Sequence, residues 1–170
     1  MPDSYVAKPL DARRIDQAFP VVQTVLPRLG LERWRAYAAE MIGATPAEVG
    51  AAPGKVVRLP TAQPTGIIVA QLRHGYIHGL FAYTVLPNLC HGKVLQVDLM
   101  VAADMFDPAA IAEALLAEMD RLARQLRCDA IHLSLPKPPA GSQYDRILQL
   151  GLVSEGVRLC KSLTPAEAAG

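Results

Sequence analysis

The sequence predicts a mixed α/β domain in which helices cover both faces of a central sheet of six to seven strands. The chain has 170 residues, which is enough for one hydrophobic core. Strand-like and helix-like segments alternate along it, as they do in α/β folds. The segment Gly92–Ala102 is apolar on both faces apart from Gln96 and Asp98, which is typical of a strand between two layers of helices.

The composition argues against several classes of protein. Hydrophobic residues make up 51% of the chain and charged residues 19%, a globular composition. The formal net charge is +1 and no basic stripe with interleaved aromatic residues is present, so nucleic acid is not an expected partner. No apolar run reaches the roughly 20 residues of a membrane span. Residues 1–14 lack the apolar centre of a signal peptide, so no membrane partner is expected.

The cysteines indicate a reducing compartment. Cys90, Cys128 and Cys160 are odd in number, far apart and without a zinc spacing, so we expect reduced thiols in a cytoplasmic protein. The positive mean hydropathy is compatible with a self-associating surface, such as that of a homodimer.

The first third of the chain predicts one strand and two helices, followed by a long loop. Residues 4–10 form the strand, and Asp11 has the side chain of a helix N-cap. Pro20 predicts a kink in the first helix or its division into two pieces. The second helix covers Leu31–Ile42. Residues 43–65 are rich in proline and glycine, and loops of this length are often functional.

A three-strand meander follows, and after it the clearest helix of the chain. The strands cover residues 66–72, 76–86 and 92–102, with a hairpin turn at His74 and Gly75. Asp107 is the N-cap of the helix and Pro108 occupies its first turn. Its apolar stripe consists of Ile111, Leu115, Met119, Leu122 and Leu126.

The C-terminal part predicts two further strand regions. Residues 128–135 form a strand, most simply parallel to Gly92–Ala102 through the intervening helix. Residues 143–150 form a short helix closed by glycine, and residues 152–163 form a strand pair or one bent strand. A single domain is expected over residues 1–165, and residues 166–170 are expected to fray.

This order of elements resembles that of the GNAT (N-acetyltransferase) superfamily. "GIIVAQLRHGYIHGLFAYTV" is similar to the family's second and third strands. "VLQVDLMVAADMFDPAAIAEALLAEM" resembles its fourth strand and the helix that carries the pyrophosphate loop. "DRILQLGLVSEGVRLCKSL" is similar to the closing segment, with Gly151-Leu152 in the place of the family's Gly-Phe pair.

The resemblance implies a site for acetyl-CoA between the fourth and fifth strands. In the family, the pyrophosphate binds backbone N–H groups at the start of the following helix, where the helix dipole favours an anion. The family motif there is Arg/Gln-x-x-Gly-x-Gly/Ala, and this chain has a degenerate version of it, with Asp107 at the basic position. The coenzyme-binding residues that the resemblance implies are Met100, Val101, Ala102, Asp107, Ala109, Ala110 and Ala112.

Two residues are candidates for the general base of an acetyl transfer. Asp98 shares a face with Gln96 by the period of two, and in so apolar a strand we expect it to be desolvated, which would suit a base. His132 shares a polar face with Ala130 and Ser134 and can titrate near neutral pH. The alternative for both is a purely structural role, as a hydrogen-bonded aspartate and as a histidine on a half-exposed strand.

The proton donor is less clearly marked. The family often has a tyrosine four residues before the glycine of the Gly-Phe pair, where this chain has Ile147. Tyr144 lies about one helical turn earlier and is the candidate acid, although a tyrosine on a helix surface is the alternative. Trp34 and Tyr37 lie on the second helix, which in the family walls the acceptor site, and both are also suited to a core.

No metal site is expected from the histidine and cysteine spacings. His74 and His78 straddle the predicted hairpin turn, so they do not share a helical face. Cys90 and His91 are adjacent in a turn, with no acid in view to orient them as a nucleophilic pair.

The resemblance to the GNAT superfamily implies one of two functions. The first is an acyltransferase that transfers an acetyl group from acetyl-CoA directly to the amine of a small molecule or peptide. The second is a catalytically inactive module with the same fold, which binds a partner or dimerises and does not bind the coenzyme. The departures from the pyrophosphate motif at Asp107 and Pro108 keep the second function open.

Overall fold

A computed structural model describes residues 4–44, 63–73, 75–103, 107–135 and 148–163. The chain divides into two compact units, Met1–Lys137 and Pro138–Gly170, and each is described by itself. The prediction of a single domain over residues 1–165 stays a prediction. The first unit contains a 3₁₀ turn at Ala12–Arg14 and the following elements: β1 Val6–Pro9, α1 Ile15–Gln23, α2 Leu31–Ile42, β2 Thr65–Gln71, β3 Ile77–Asn88, β4 Gly92–Ala102, α3 Pro108–Gln125 and β5 Ala130–Leu133.

The strands form one mixed sheet in the order β1-β2-β3-β4-β5. Neighbours from β1 to β4 are antiparallel, and β5 is parallel to β4. The mixed α/β class and the parallel pair that flanks α3 are therefore as the sequence predicted. The described residues form five strands, whereas six to seven were predicted.

The predicted strands that the described residues do not form are those of residues 152–163, in the second unit. Residues 148 and 149 are helical, and Gly151, with φ of 87°, closes this turn by donating from its N–H to the carbonyl oxygen of Leu148 at 3.0 Å. Residues 152–163 form no strand. Alternating apolar residues indicate which side chains share a face. The backbone of a strand also needs hydrogen bonds to a second strand, and the apolar pattern does not show whether a second strand is there. Residues 143–147 and the predicted tail lie outside the described ranges.

Apolar side chains on both faces of the sheet form two cores, as the sequence predicted. Helices α1 and α2 cover one face and α3 covers the other. The first core includes Ile15, Val22, Trp34, Ile67, Val69, Leu80, Leu99 and Val101. The second core includes Ile68, Phe81, Leu95, Val97, Met100, Ile111, Leu115 and Met119. None of the helices in the described ranges is long and apolar enough to cross a membrane.

The two N-terminal helices are joined by side chains at their contact. Ile15–Gln23 form one helix that runs through Pro20, so the predicted alternative of two separate pieces is wrong. The indole nitrogen of the buried Trp34 donates to the carbonyl oxygen of Ile15 at 2.7 Å. Arg35 of α2 donates to both carboxylate oxygens of Asp16 in α1, at 2.8 and 2.7 Å. These contacts fix α1 against α2 on one face of the sheet.

On the opposite face, α3 lies against the bare backbone of Gly79 in β3. A Cβ atom at this position would lie 2.5 Å from Cγ2 of Ile111 and 2.7 Å from the carbonyl oxygen of Val101. Both distances are far below van der Waals contact, so only a glycine allows the first turns of α3 to approach the sheet so closely. The start of α3 is thereby held beside the end of β4.

Gly79→Ala should destabilise the protein by about 1–3 kcal/mol, because the added methyl group overpacks the contact between α3 and the sheet. Urea denaturation followed by circular dichroism measures the change. Gly30→Ala is the matched control, since Gly30 has φ of −79° and no heavy atom within 4 Å of its Cβ position. Its effect should stay below about 1 kcal/mol. Equal stability of the two variants would contradict the close approach.

Candidate active site

A β-bulge interrupts the pairing of β3 with β4 at Asp98. Val97 is opposite Tyr83 and Leu99 is opposite Ala82, so Asp98 is the extra residue on the bulged strand. A bulge bends its strand and redirects the side chain of the extra residue. It also shifts the alternation of β4 by one residue, so that Val97 packs towards α3 and Leu99 towards α1 and α2.

Asp98 belongs to a small polar group that joins β4 to β5. The side-chain amide of Gln96 donates to Oδ1 of Asp98 at 3.0 Å, and the same nitrogen lies 3.4 Å from Oγ of Ser134. The predicted common face of Gln96 and Asp98 is therefore confirmed. We call Gln96, Asp98 and Ser134 the polar group of β4 and β5.

The predicted desolvation of Asp98 is wrong, because its side chain is exposed. The prediction assumed a regular strand with packed layers on both sides. The bulge removes Asp98 from the regular ladder, so its carboxylate lies at the surface while Val97 and Leu99 on either side are buried. An exposed carboxylate is accessible to a ligand.

The polar group lies where the pairing of β4 with β5 ends. The register runs from Val94 opposite Ala130 to Val97 opposite Leu133, and the N–H of Ser134 donates to the carbonyl oxygen of Val97 at 2.8 Å. Strand β4 continues to Ala102, five residues beyond Val97. Within the described part of the chain, these five residues have β3 on one side and no strand on the other.

The backbone of β4 presents specific N–H groups to this open edge. Ala103 donates from its N–H to the carbonyl oxygen of His78 at 2.8 Å, on the β3 side. Because successive N–H groups of a strand point to opposite sides, the N–H of Val101 also points to β3. Those of Met100 and Ala102 point to the open edge. The sequence predicted coenzyme contacts at Met100, Val101 and Ala102. The N–H groups of Met100 and Ala102 face the edge that the predicted coenzyme would use, and that of Val101 does not.

The start of α3 is a capped helix, as the sequence predicted. Oδ1 of Asp107 accepts from the N–H of Ala110 at 3.0 Å, and Pro108 in the first turn has no N–H. Residues 108 and 110 therefore offer no backbone N–H group to an anion at this helix start. Asp107 is exposed and adds a negative charge, whereas Ala109 and Ala112 are small and partly buried.

A shallow cavity of about 540 Å³ lies beside the same helix start. The N-cap Asp107 lines it together with Ala110 and Glu113 of α3, and Tyr5, just before β1, and Leu72, just after β2, line its other side. It therefore lies on the β1 side of α3 and not at the open edge of β4. Among the described residues, its lining includes two carboxylates and no cationic side chain, and such a lining suits a phosphate group poorly.

Helix α2 contributes an aromatic wall near Asp98. The rings of Trp34 and Tyr37 have centroids 6.2 Å apart, with 34° between their planes. Burial raises the pKa of the Tyr37 phenol, and the negative charges of Asp98 and Glu40 raise it further. The effect of Asp98 shows that the phenol and the carboxylate lie within electrostatic reach. Trp34 is a core residue, whereas Tyr37 is 37% exposed and can contact a ligand.

His132 lies in β5, opposite Gln96 of β4. Its neighbours Ile131 and Leu133 pack towards α3, so its own side chain is on the other face, as predicted. The ring of His132 makes an edge-to-face contact with that of His91, with centroids 5.3 Å apart and 89° between the planes. Its Nε2 atom is buried and has no hydrogen-bond partner among the described residues.

That these residues form an active site stays a prediction, and the sequence did not predict their geometry. It named Asp98, His132 and the end of β4, and it placed Ser134 on the polar face of β5. It gave no sign that Tyr37 lies near Asp98, because the two residues are far apart along the chain. Tyr144, the candidate acid, lies outside the described residues and stays a prediction.

Comparison with models of protein families gives no match, and comparison with curated proteins gives none either. Solved structures do match. Aminoglycoside N-acetyltransferase AAC(6')-Iy in complex with CoA has a TM-score of 0.72 at 12% identity, covering 96% of this chain and 98% of that chain. Glucosamine-6-phosphate N-acetyltransferase from Arabidopsis thaliana has a TM-score of 0.65 at 10% identity, covering 95% of this chain and all (100%) of that chain.

A third match is a GNAT family acetyltransferase from Staphylococcus aureus, with a TM-score of 0.65 at 13% identity, covering 94% of this chain and 99% of that chain. The chain therefore has the GNAT acetyltransferase fold, as the sequence predicted. At these identities the likeness establishes the fold, and the chemistry has to be argued from the site.

Asp98→Asn should lower the pKa of Tyr37, because one of the negative charges that disfavour the phenolate is removed. The shift should be partial, since burial is the larger cause and remains. NMR titration of the tyrosine ring resonances measures it. Glu113→Gln is the control, since Glu113 is not among the groups that raise this pKa. An unchanged Tyr37 titration in Asp98→Asn would show that the two side chains are not near each other.

Proposed function

We propose that this chain is an acyltransferase that transfers an acetyl group from acetyl-CoA to the amine of a small molecule or peptide. The observation that carries the proposal is the bulge at Asp98, which puts an exposed carboxylate where the pairing of β4 and β5 ends. The fold supports it, because matching structures include one bound to CoA and one bound to a bisubstrate analogue, CoA-S-monomethyl-acetylneamine.

In the proposed reaction, the acceptor amine attacks the thioester carbonyl carbon directly. Asp98 accepts the proton that the acceptor ammonium must lose, which frees the nitrogen lone pair. The new C–N bond forms as the C–S bond breaks, and the coenzyme leaves as a thiolate that takes a proton from Tyr144 in this proposal. The nitrogen still carries two hydrogens after the attack, and it loses the second proton to the Tyr144 phenolate, which restores the phenol. The N–H of Met100 points to the open edge of β4 and donates to the carbonyl oxygen as negative charge develops on it.

Neighbouring side chains assist this role of Asp98. The amide of Gln96 donates to Oδ1 of Asp98 and so orients the carboxylate. Tyr37 of α2 lies within electrostatic reach of the carboxylate, and an aromatic ring can attract a cationic group. His132 is the second candidate for the base. We prefer Asp98 because its side chain is exposed, whereas the Nε2 atom of His132 is buried.

One observation favours the alternative function of an inactive binding or dimerisation module. The Asp107 cap occupies the N–H of Ala110, and Pro108 supplies none, so the start of α3 has lost donors that an anion would need. Small residues at 109, 110 and 112 still allow a ligand to approach the backbone. The two functions therefore differ in one measurable property, which is binding of the coenzyme.

Acetyl-CoA should bind the purified protein and raise its melting temperature, because a ligand that binds only the folded state stabilises it. Asp107→Gly should tighten binding several-fold, since it removes a negative charge and frees the N–H of Ala110 at little cost to the cap. Isothermal titration calorimetry measures both affinities. Asp120→Asn, an exposed substitution elsewhere on α3, should leave the affinity unchanged. A flat isotherm at millimolar acetyl-CoA would refute the transferase and support the inactive module.

Asp98→Asn should lower the rate of acetyl transfer by about 10²–10⁴-fold, the usual contribution of a general base, without weakening coenzyme binding. Release of free CoA thiol in the presence of a panel of primary amines and peptides measures the rate. His132→Gln should have a much smaller effect. The opposite ranking would assign the base to His132, and full activity in both variants would contradict this mechanism.

A further inference from the structure

We propose that His91 and His132 form a binding site for a transition-metal ion of the Zn²⁺, Ni²⁺ or Cu²⁺ type. The two histidines are far apart in the sequence, and neither belongs to a recognisable metal motif. The fold brings them together at the end of the sheet where β4 begins. The metal site does not rest on the proposed acetyl transfer, although His132 lies opposite Gln96, a neighbour of Asp98, and is the second candidate for the base of that reaction.

Backbone and side-chain hydrogen bonds hold His91 in place. It lies in the turn between β3 and β4, where the side-chain oxygen of Asn88 accepts from the N–H groups of Cys90 and His91, both at 2.9 Å. Gly92 follows with φ of 73°, a conformation that favours glycine. The turn thereby presents His91 from a fixed backbone.

The start of β4 is also tied to the start of β5, which carries His132. The N–H of Lys93 donates to Oδ2 of Asp129 at 2.8 Å, and the N–H of Asp129 donates to the carbonyl oxygen of Lys93 at 2.6 Å. The ammonium group of Lys93 donates to the carbonyl oxygen of Leu126, at the end of α3. These bonds fix the separation of the two histidine backbones.

The imidazoles are close enough to share one ion. A ring nitrogen of His91 lies within 4.8 Å of one of His132. Two imidazoles bound to the same tetrahedral ion at about 2.0–2.1 Å have their nitrogens roughly 3.3 Å apart. The His91 side chain is partly exposed, so a rotation of it can bring the two nitrogens to the separation that a shared ion requires. The two rings meet edge to face, with their centroids 5.3 Å apart.

The Nε2 atom of His132 identifies the ligating atom. It is buried and has no hydrogen-bond partner among the described residues, and burial of a polar atom in this state is unfavourable. A bound cation would satisfy the Nε2 lone pair. Imidazole nitrogen is a preferred ligand of Zn²⁺, Ni²⁺ and Cu²⁺, whereas Mg²⁺ and Ca²⁺ prefer oxygen, so the site should select the first group.

The alternative is a stacked histidine pair that binds no metal. Titration of the tag-free protein with ZnCl₂, with NiCl₂ and with MgCl₂ distinguishes the two, by calorimetry and by histidine NMR. Zn²⁺ and Ni²⁺ should bind with one ion per chain, and Mg²⁺ should not. His91→Ala and His132→Gln should each weaken binding at least about tenfold.

Cys90→Ser and His78→Gln are the matched controls, because they remove a nearby thiol and a histidine of the same sheet. Both should bind Zn²⁺ like the unmodified protein. Folding of each variant is checked by circular dichroism, and the unmodified protein should show resonances of two histidines that shift together with Zn²⁺. Absence of binding at millimolar Zn²⁺ would overturn the proposal. Binding that survives both histidine substitutions, or that is lost in Cys90→Ser alone, would overturn it as well.

Discussion

The close contact of α3 with Gly79 is the constraint on which the arrangement of the candidate site depends. Ile111 rests on the backbone of β3 because residue 79 has no side chain, and the carbonyl oxygen of Val101 in β4 borders the same point. The first turns of α3 and the last residues of β4 are thus positioned by one contact. The open edge of β4 and the capped helix start are therefore neighbours in space as well as in sequence.

Much of the fold could be predicted because its apolar residues follow simple periods. The stripe of α3, the three-strand meander and the parallel strand after α3 all follow from spacing and turn residues. The bulge at Asp98 could not be predicted in this way. Strand β4 is apolar on both faces, so the shift in its alternation leaves no irregularity in the sequence. The expectation of a desolvated Asp98 failed for that reason.

The site could be predicted only where its residues are close along the chain. Gln96 and Asp98 are two residues apart in one strand, and period two places them on the same face. The proximity of Tyr37 to Asp98 depends on how α2 packs over the sheet, and the contact of His91 with His132 depends on how a turn docks against β5. Neither arrangement has a local signal, because each is set by tertiary packing.

In the proposed transfer, the bulge separates the reacting carboxylate from the residues that stabilise the sheet. Asp98 belongs neither to the ladder of β3 nor to either core, so its side chain can be replaced without changing the register or the packing around it. A single nucleotide change at codon 98 could then remove or alter a reaction while the folded protein persists in the cell. Within such a scaffold, a transferase and an inactive descendant are separated by very few mutations, and selection can move a lineage between them without passing through unfolded intermediates.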